Sequence, residues 1–280
     1  MPRSSLVFLL LPACNLFNVV FGNGETVEET REVDAFTALD IAASFEVEVT
    51  LGDAPSVTVT CDDNLLSLIV TTVKDGTLVI DQRNAVGAWA AIHPKAECHA
   101  DIVTTSLIAV NASGAGDVHL VEADWIDLAQ VGLTGAGQIV VDGVITAPDL
   151  SLSSHGAGEL FVNGITGDSL TIEITGSGIA GITDIDTLAL TASVRGSGSL
   201  VGTGSADTSD ISCTGSGDVR TRELVTTDVH AMLTGSGSVQ VNAVASITAT
   251  VSGSGTLAVW GGPDLRDVNR TGSGSVVFRD

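Results

Sequence analysis

The chain has 280 residues, and its 11 Lys+Arg against 34 Asp+Glu give a net charge of −23. Such acidity repels phosphate backbones and anionic lipid surfaces, which argues against nucleic acid as a partner. Aromatic residues are 4% with no Tyr, and 32 Gly stand against 6 Pro, so the apolar content is Val, Ile, Leu and Ala, as in a repetitive all-β chain.

Residues 1–13 read as a signal peptide, with Arg3 as the positive n-region and Ser5 to Leu11 as a short apolar stretch. Leu11-Pro12-Ala13-Cys14 resembles the lipobox of bacterial lipoproteins, in which the Cys is lipidated. The alternative is an ordinary secretory leader cut nearer Gly22-Asn23-Gly24. Both export the chain, and the apolar run falls short of the ~20 residues of a membrane span. Residues 14–30 are expected to be a linker. Of the three later cysteines, Cys61 and Cys98 share the N-terminal region and can pair in an oxidising compartment, whereas Cys213 falls at an inward repeat position.

Residues 31–106 are expected to form an N-terminal β-cap over the solenoid that follows. Phe45–Leu51 and Val57–Cys61 alternate as strands, and Asp62 or Asp63 is placed to cap a short helix through Leu65–Ile69. Asp75-Gly76 marks a hairpin between 71–74 and 77–81, and 87–99 reads as a loop.

Residues 107–280 carry the dominant signal. A Gly-small-Gly triplet recurs nine times, with its glycines at Gly114 and Gly116, Gly135 and Gly137, Gly156 and Gly158, Gly176 and Gly178, Gly196 and Gly198, Gly215 and Gly217, Gly235 and Gly237, Gly253 and Gly255, and Gly272 and Gly274. Two residues beyond each triplet the side chain is always apolar, from Val118 and Ile139 to Leu257 and Val276. This parity defines the buried face of a strand. The glycines share that parity and are read as a corner or kink in each coil, while Ser113, Thr134, Thr175, Thr214 and Thr234 point outward. A unit of ~20 residues buries its apolar face only by stacking on its neighbours. Parallel crossovers being right-handed, the expected fold is all-β, a right-handed parallel β-helix of about nine coils behind an N-terminal β-cap.

Three stretches of the chain, Phe36–Ile41, Phe45–Val49 with Gly52, and Asp75–Ile80, followed by the Gly-Ser-Gly coils, resemble the "putative auto-transporter adhesin, head GIN domain" family, a domain of unknown function. That resemblance implies a right-handed β-helix and often a lipoprotein signal. It transfers no functional residue.

Candidate chemistry is sparse. His93, His99, His119, His155 and His230 fall in no metal-ligand spacing, and the triplets lack both the Lys-Ser/Thr of a phosphate loop and the regular Asp of calcium-binding nonapeptides. The outward acids Asp117, Glu159 and Asp218 lie on coils one, three and six, and Arg220, Arg222 and Glu223 are the densest polar group. These features point to a non-enzymatic exported envelope or surface protein without cofactor or metal. Its expected partner is an envelope glycan or protein, with membrane contact through a lipid anchor only. The alternative is a polysaccharide lyase or hydrolase on the same scaffold, which would need clustered carboxylates. The expected location is the bacterial envelope, outer membrane or periplasm, or else secretion.

Overall fold

The computed structural model describes residues 18–83 and 90–279. The expected signal peptide, Cys14 and Trp89 lie outside them. The elements are β1 (Asn18–Phe21), β2 (Thr26–Arg31), β3 (Ala38–Ala43), β4 (Glu46–Leu51), β5 (Ser56–Asp62), the single-turn α1 (Asp63–Leu66), β6 (Ile69–Lys74), β7 (Thr77–Gln82), β8 (Ala90–His93) and β9 (His99–Thr104). The repeat region follows as β10 (Ala109–Gly114), β11 (Asp117–Ile126), β12 (Gln130–Gly135), β13 (Gln138–Thr146), β14 (Asp149–Gly156), β15 (Glu159–Val162) and β16 (Ile165–Gly176). It ends with β17 (Ile179–Gly196), β18 (Ser199–Gly215), β19 (Asp218–Gly235), β20 (Ser238–Gly253), β21 (Thr256–Trp260), β22 (Leu265–Gly272) and β23 (Ser275–Phe278).

These strands build a parallel β-solenoid of about eight turns. The nine triplet strands bracket those turns, because the first glycine of each pairs with the first glycine of the next, from Gly114 with Gly135 through to Gly253 with Gly272. At that position φ lies between 100° and 125°, the left-handed side that L side chains avoid. A Cβ on Gly196 would also fall 2.5 Å from the carbonyl oxygen of Gly176 below it. The first glycine is exposed or half-exposed and the second is buried in all but Gly116, so the chain turns at the triplet rather than running straight through it.

Two further corners per coil carry no such motif. In the coil of β19 the inward residues fall in three groups: Val219 and Thr221, then Leu224 and Thr226, then Val229, Ala231 and Leu233. Within a group the step is two; between groups it is three, which flips the strand's face and marks a bend. Gly143, Asp184 and Gly204 take positive φ at the middle corner of their coils. The interior is one continuous, mostly aliphatic cluster from Phe36 to Val259, with Trp125 its largest fully buried member.

The parallel stack extends beyond the triplets. β3 pairs with β10 so that Ala43 stands beneath Gly114, and β4 pairs with β11. Residues 38–51 are therefore a coil without a triplet. β7 and β9, later in the chain, add the next layer beneath β3 and β4. There the pairing turns antiparallel: β6 on β7, β5 on β9, and β2 on β5. Asp75 and Gly76, both at positive φ, form the β6–β7 turn, the signature of a type I′ hairpin.

Residues 18–31 are not a free linker. β1 pairs in parallel with β8, and β2 lies on β5. Asp62 explains the attachment. Its side chain does not cap α1. Instead the buried carboxylate accepts backbone N–H bonds from Gly24, Lys95 (2.9 Å) and Ala96 (3.2 Å). Burial pushes its pKa up, but these three donors and the Lys95 charge outweigh that and hold it below the usual carboxylate range. Beside it Cys61 and Cys98 form a disulfide, with S–S 2.07 Å. Arg31 donates to the carbonyls of Leu66 (3.0 Å) and Ile69 (2.6 Å) and to the Thr71 hydroxyl, tying β2 across to β6.

Candidate functional site

The most irregular stretch of the repeat ladder is the middle corner of β19. Val201 pairs with Arg220 but Thr203 pairs with Glu223, so β19 carries one residue more than β18. Toward β20, Thr221 pairs with Val241 and Val225 with the next residue, Asn242, which leaves Arg222, Glu223 and Leu224 without a partner. Leu224 stays in the core, while Arg222 and Glu223 are thrown outward. Side chains replace part of the lost ladder: the buried Thr221 hydroxyl donates to the Gln240 carbonyl at 3.0 Å, and Asn242 Nδ2 donates to the Arg222 carbonyl at 3.0 Å. Bulges of this kind re-aim side chains at the margins of sheets and next to sites.

The bulge opens a cleft of about 380 Å³ lined by Val201, Gly202, Thr203, Arg220, Arg222, Glu223 and Gln240. Arg220 pairs with Asp218 at 2.5 Å and Arg222 with Glu223 at 3.0 Å. Each guanidinium already has a carboxylate, so the cleft offers a balanced set of donors and acceptors rather than a positive charge.

Register places an apolar strip along the same outer face. Val140, Phe161, Gly181, Val201, Arg220 and Gln240 stand in one column of successive strands. From Phe161 to Gln240 this spans four strand spacings, about 19 Å. The Phe161 ring lies over Gly181, where an added Cβ would meet it at 2.8 Å. Val201 and the neighbouring Ile179 are 36% and 39% exposed. The strip thus runs an apolar surface into a cleft of fixed polar groups.

The remaining candidates are distributed elsewhere. Asp117, Glu159 and Asp218 share one outward column, with Gln138 between the first two: its N–H donates to Asp117 at 3.1 Å and its amide to Glu159 at 3.1 Å. Asp218 stands three strands beyond Glu159. His119 pairs with Asp142 at 2.7 Å, and Asn163 donates to the same carboxylate, beside a 450 Å³ hollow at the middle corner. Asp142 lies one coil further along the chain, so this pairing is set by the stacking of coils and not by sequence spacing. His99 lies 3.7 Å from Asp101, His93 stacks on Phe21, and His155 stands between Thr134 and Thr175 in the outward column. Arg195, in that column too, pairs with Glu173 at 3.7 Å. A shallow 340 Å³ hollow on the face preceding the triplet brings together Asp210, Asp228 and His230, with His230 Nδ1 3.3 Å from Asp210 and Ser246 donating to Asp228. Cys213 is buried, and burial and the nearby Asp218 charge both push its thiol pKa up, which makes it unreactive. Among the described residues no three His, Cys, Asp or Glu side chains converge as metal ligands, and no helix is long and apolar enough to cross a membrane.

The family described as "Putative auto-transporter adhesin, head GIN domain" matches residues 35–164 and again 121–263, two overlapping placements along one repeat. Among solved structures, a "putative lipid binding protein" from Parabacteroides distasonis ATCC 8503 superposes with a TM-score of 0.72 at 21% identity, and a "putative adhesin" from Parabacteroides merdae ATCC 43184 with 0.71 at 19%. Each alignment covers 94% of this chain and 100% of the other. A "putative adhesin" from Bacteroides fragilis NCTC 9343 gives 0.53 at 18%. At these identities the likeness establishes the fold. No curated protein matches the chain.

Proposed function

This chain belongs to the "putative auto-transporter adhesin, head GIN domain" family, and from that premise we propose that it is an exported, non-enzymatic surface module that binds a neutral glycan of the envelope. The observation that carries the reading is the cleft of Arg220, Arg222, Glu223 and Gln240 at the end of the Phe161–Val201 strip. A sugar ring has an apolar face for the strip and hydroxyls for the paired donors and acceptors. A polyanion fits less well, since both arginines are already paired and the chain carries −23. In this reading Cys14 holds the lipid anchor, and mass analysis of the mature N-terminus tests it.

Binding of the leader-free protein to a glycan array, with product release followed in parallel, tests the function. Selective binding lost in Arg222→Ala and Phe161→Ala is the expected result; binding unchanged in both removes the cleft from consideration. A second reading, a glycan-cleaving enzyme, draws on Asp210, Asp228 and His230, where two carboxylates and an imidazole meet. Turnover abolished by Asp228→Asn would establish it in place of the first.

A further inference from the structure

The N-terminal end of the rod carries a small apolar face that is exposed among the described residues. In β1 the alternation is plain: Val20 packs on the core, while Val19 is 43% and Phe21 67% exposed. His93 of β8 stacks on Phe21, ring centroids 5.4 Å apart, and the exposed Pro94 and Lys95 continue the same edge. This two-stranded ribbon is fixed to the body: Gly22 N–H donates to the His93 carbonyl, Asn64 donates to the Phe21 carbonyl, and Asp62 clamps Gly24 to Lys95 and Ala96. The Asn64 and Asp62 contacts attach the ribbon at the end of β5, which lies beyond β9 at the antiparallel end of the stack.

Only Asn15, Leu16 and Phe17 separate Cys14 from Asn18. Extended, that length of chain reaches at most about 14 Å. Resting on the proposal that Cys14 is lipidated, we infer that the Val19–Phe21–His93 face seats on the surface of the bilayer that holds the anchor. An acyl chain embedded beside it leaves no tether long enough to lift that face well clear of the headgroups. Exposed aliphatic and aromatic side chains with a flanking Lys suit the interfacial zone. The nearby acids Glu25, Asp63 and Glu97 favour a zwitterionic surface over an anionic one. Seated in this way, the rod stands away from the membrane. The cleft on β19 is seven strand spacings from β9, about 34 Å out.

The test uses the full-length lipoprotein in phosphatidylcholine vesicles containing a lipid-phase quencher. A fluorophore is attached to Pro94→Cys in one sample and to Asn269→Cys, at the far end, in another. The expected result is that the first label is quenched and the second is not, and that Val19→Ser/Phe21→Ser removes the quenching while the protein still floats with the vesicles. Flotation with neither label quenched overturns the seating alone, because the anchor is then intact and the rod swings free. A mature N-terminus lacking the acyl mass sinks the anchoring proposal and the seating with it.

Discussion

Between β10 and β22 each coil rests on the one before it through the same glycine contact, whereas the layers from β2 to β9 rest on a disulfide, a buried carboxylate, a buried-edge arginine and antiparallel pairing. A repeat propagates because each unit needs only its neighbour, and one solution serves every coil. At an end there is no neighbour, so unique parts are required. On the last coil, β22 is exposed along its whole length, and Arg266 and Arg270 occupy the register positions of the buried Ile247 and Val251. Arg266 donates to the Pro263 carbonyl at 2.8 Å and lies 4.2 Å over the Phe278 ring. Inward-directed charge on a terminal strand discourages pairing with another chain.

The contrast can be broken most severely in the repeat. Gly196→Val forces a β-branched residue into positive φ against the Gly176 carbonyl, and should cost at least about 3 kcal/mol in denaturant unfolding. Ala43→Gly, the equivalent position in the coil that lacks a triplet, should change stability by about 1 kcal/mol or less. Equal effects at the two positions would mean that the glycine contact does not distinguish the regions.

Next in size is Cys61→Ser/Cys98→Ser, which opens a loop with a sequence separation of 37. A loss of about 3 kcal/mol is expected, confined to the N-terminal layers. Limited proteolysis should cut residues 18–104 first and leave the glycine coils intact.

Acid should act on the same region by a different route. The folded-state pKa of Asp62 is lowered, so its contribution is fully present above the unfolded value, about 3.9, and is lost as pH falls toward and through the folded one. Protection factors for amide exchange in β1, β2 and β8 should therefore fall on acidification before those in β17–β20 do. Asp62→Asn should flatten that pH dependence. The smallest stability effect is expected at the cleft. Arg222→Ala removes an ion pair in which both side chains are more than half exposed, and should shift unfolding by less than about 0.5 kcal/mol while abolishing glycan binding.

Period and parity were legible from the residues because a solenoid repeats the same local contact. The nine triplets, the apolar residue two positions beyond each, and the Asp75-Gly76 hairpin all report backbone geometry that only certain residues allow. The middle and third corners were not legible, since most are turned by a three-residue step among ordinary side chains. Nor was the coil of residues 38–51, where Ala43 and Phe45 stand where later coils have glycine. The candidate site was half visible. Arg220, Arg222 and Glu223 stood out as a local cluster, but their neighbours Val201 and Gln240 come from other coils.

What the sequence by itself determined is thus what a residue imposes on its own backbone and on the next coil: strand parity, the glycine corner and the stacking interval. Tertiary structure alone decided that β7 and β9 slip beneath β3 and β4, that Asp62 binds three distant N–H groups, and that His119 meets Asp142. Those contacts have no periodic counterpart. They depend on where the coils bring remote segments together, and no local propensity encodes that.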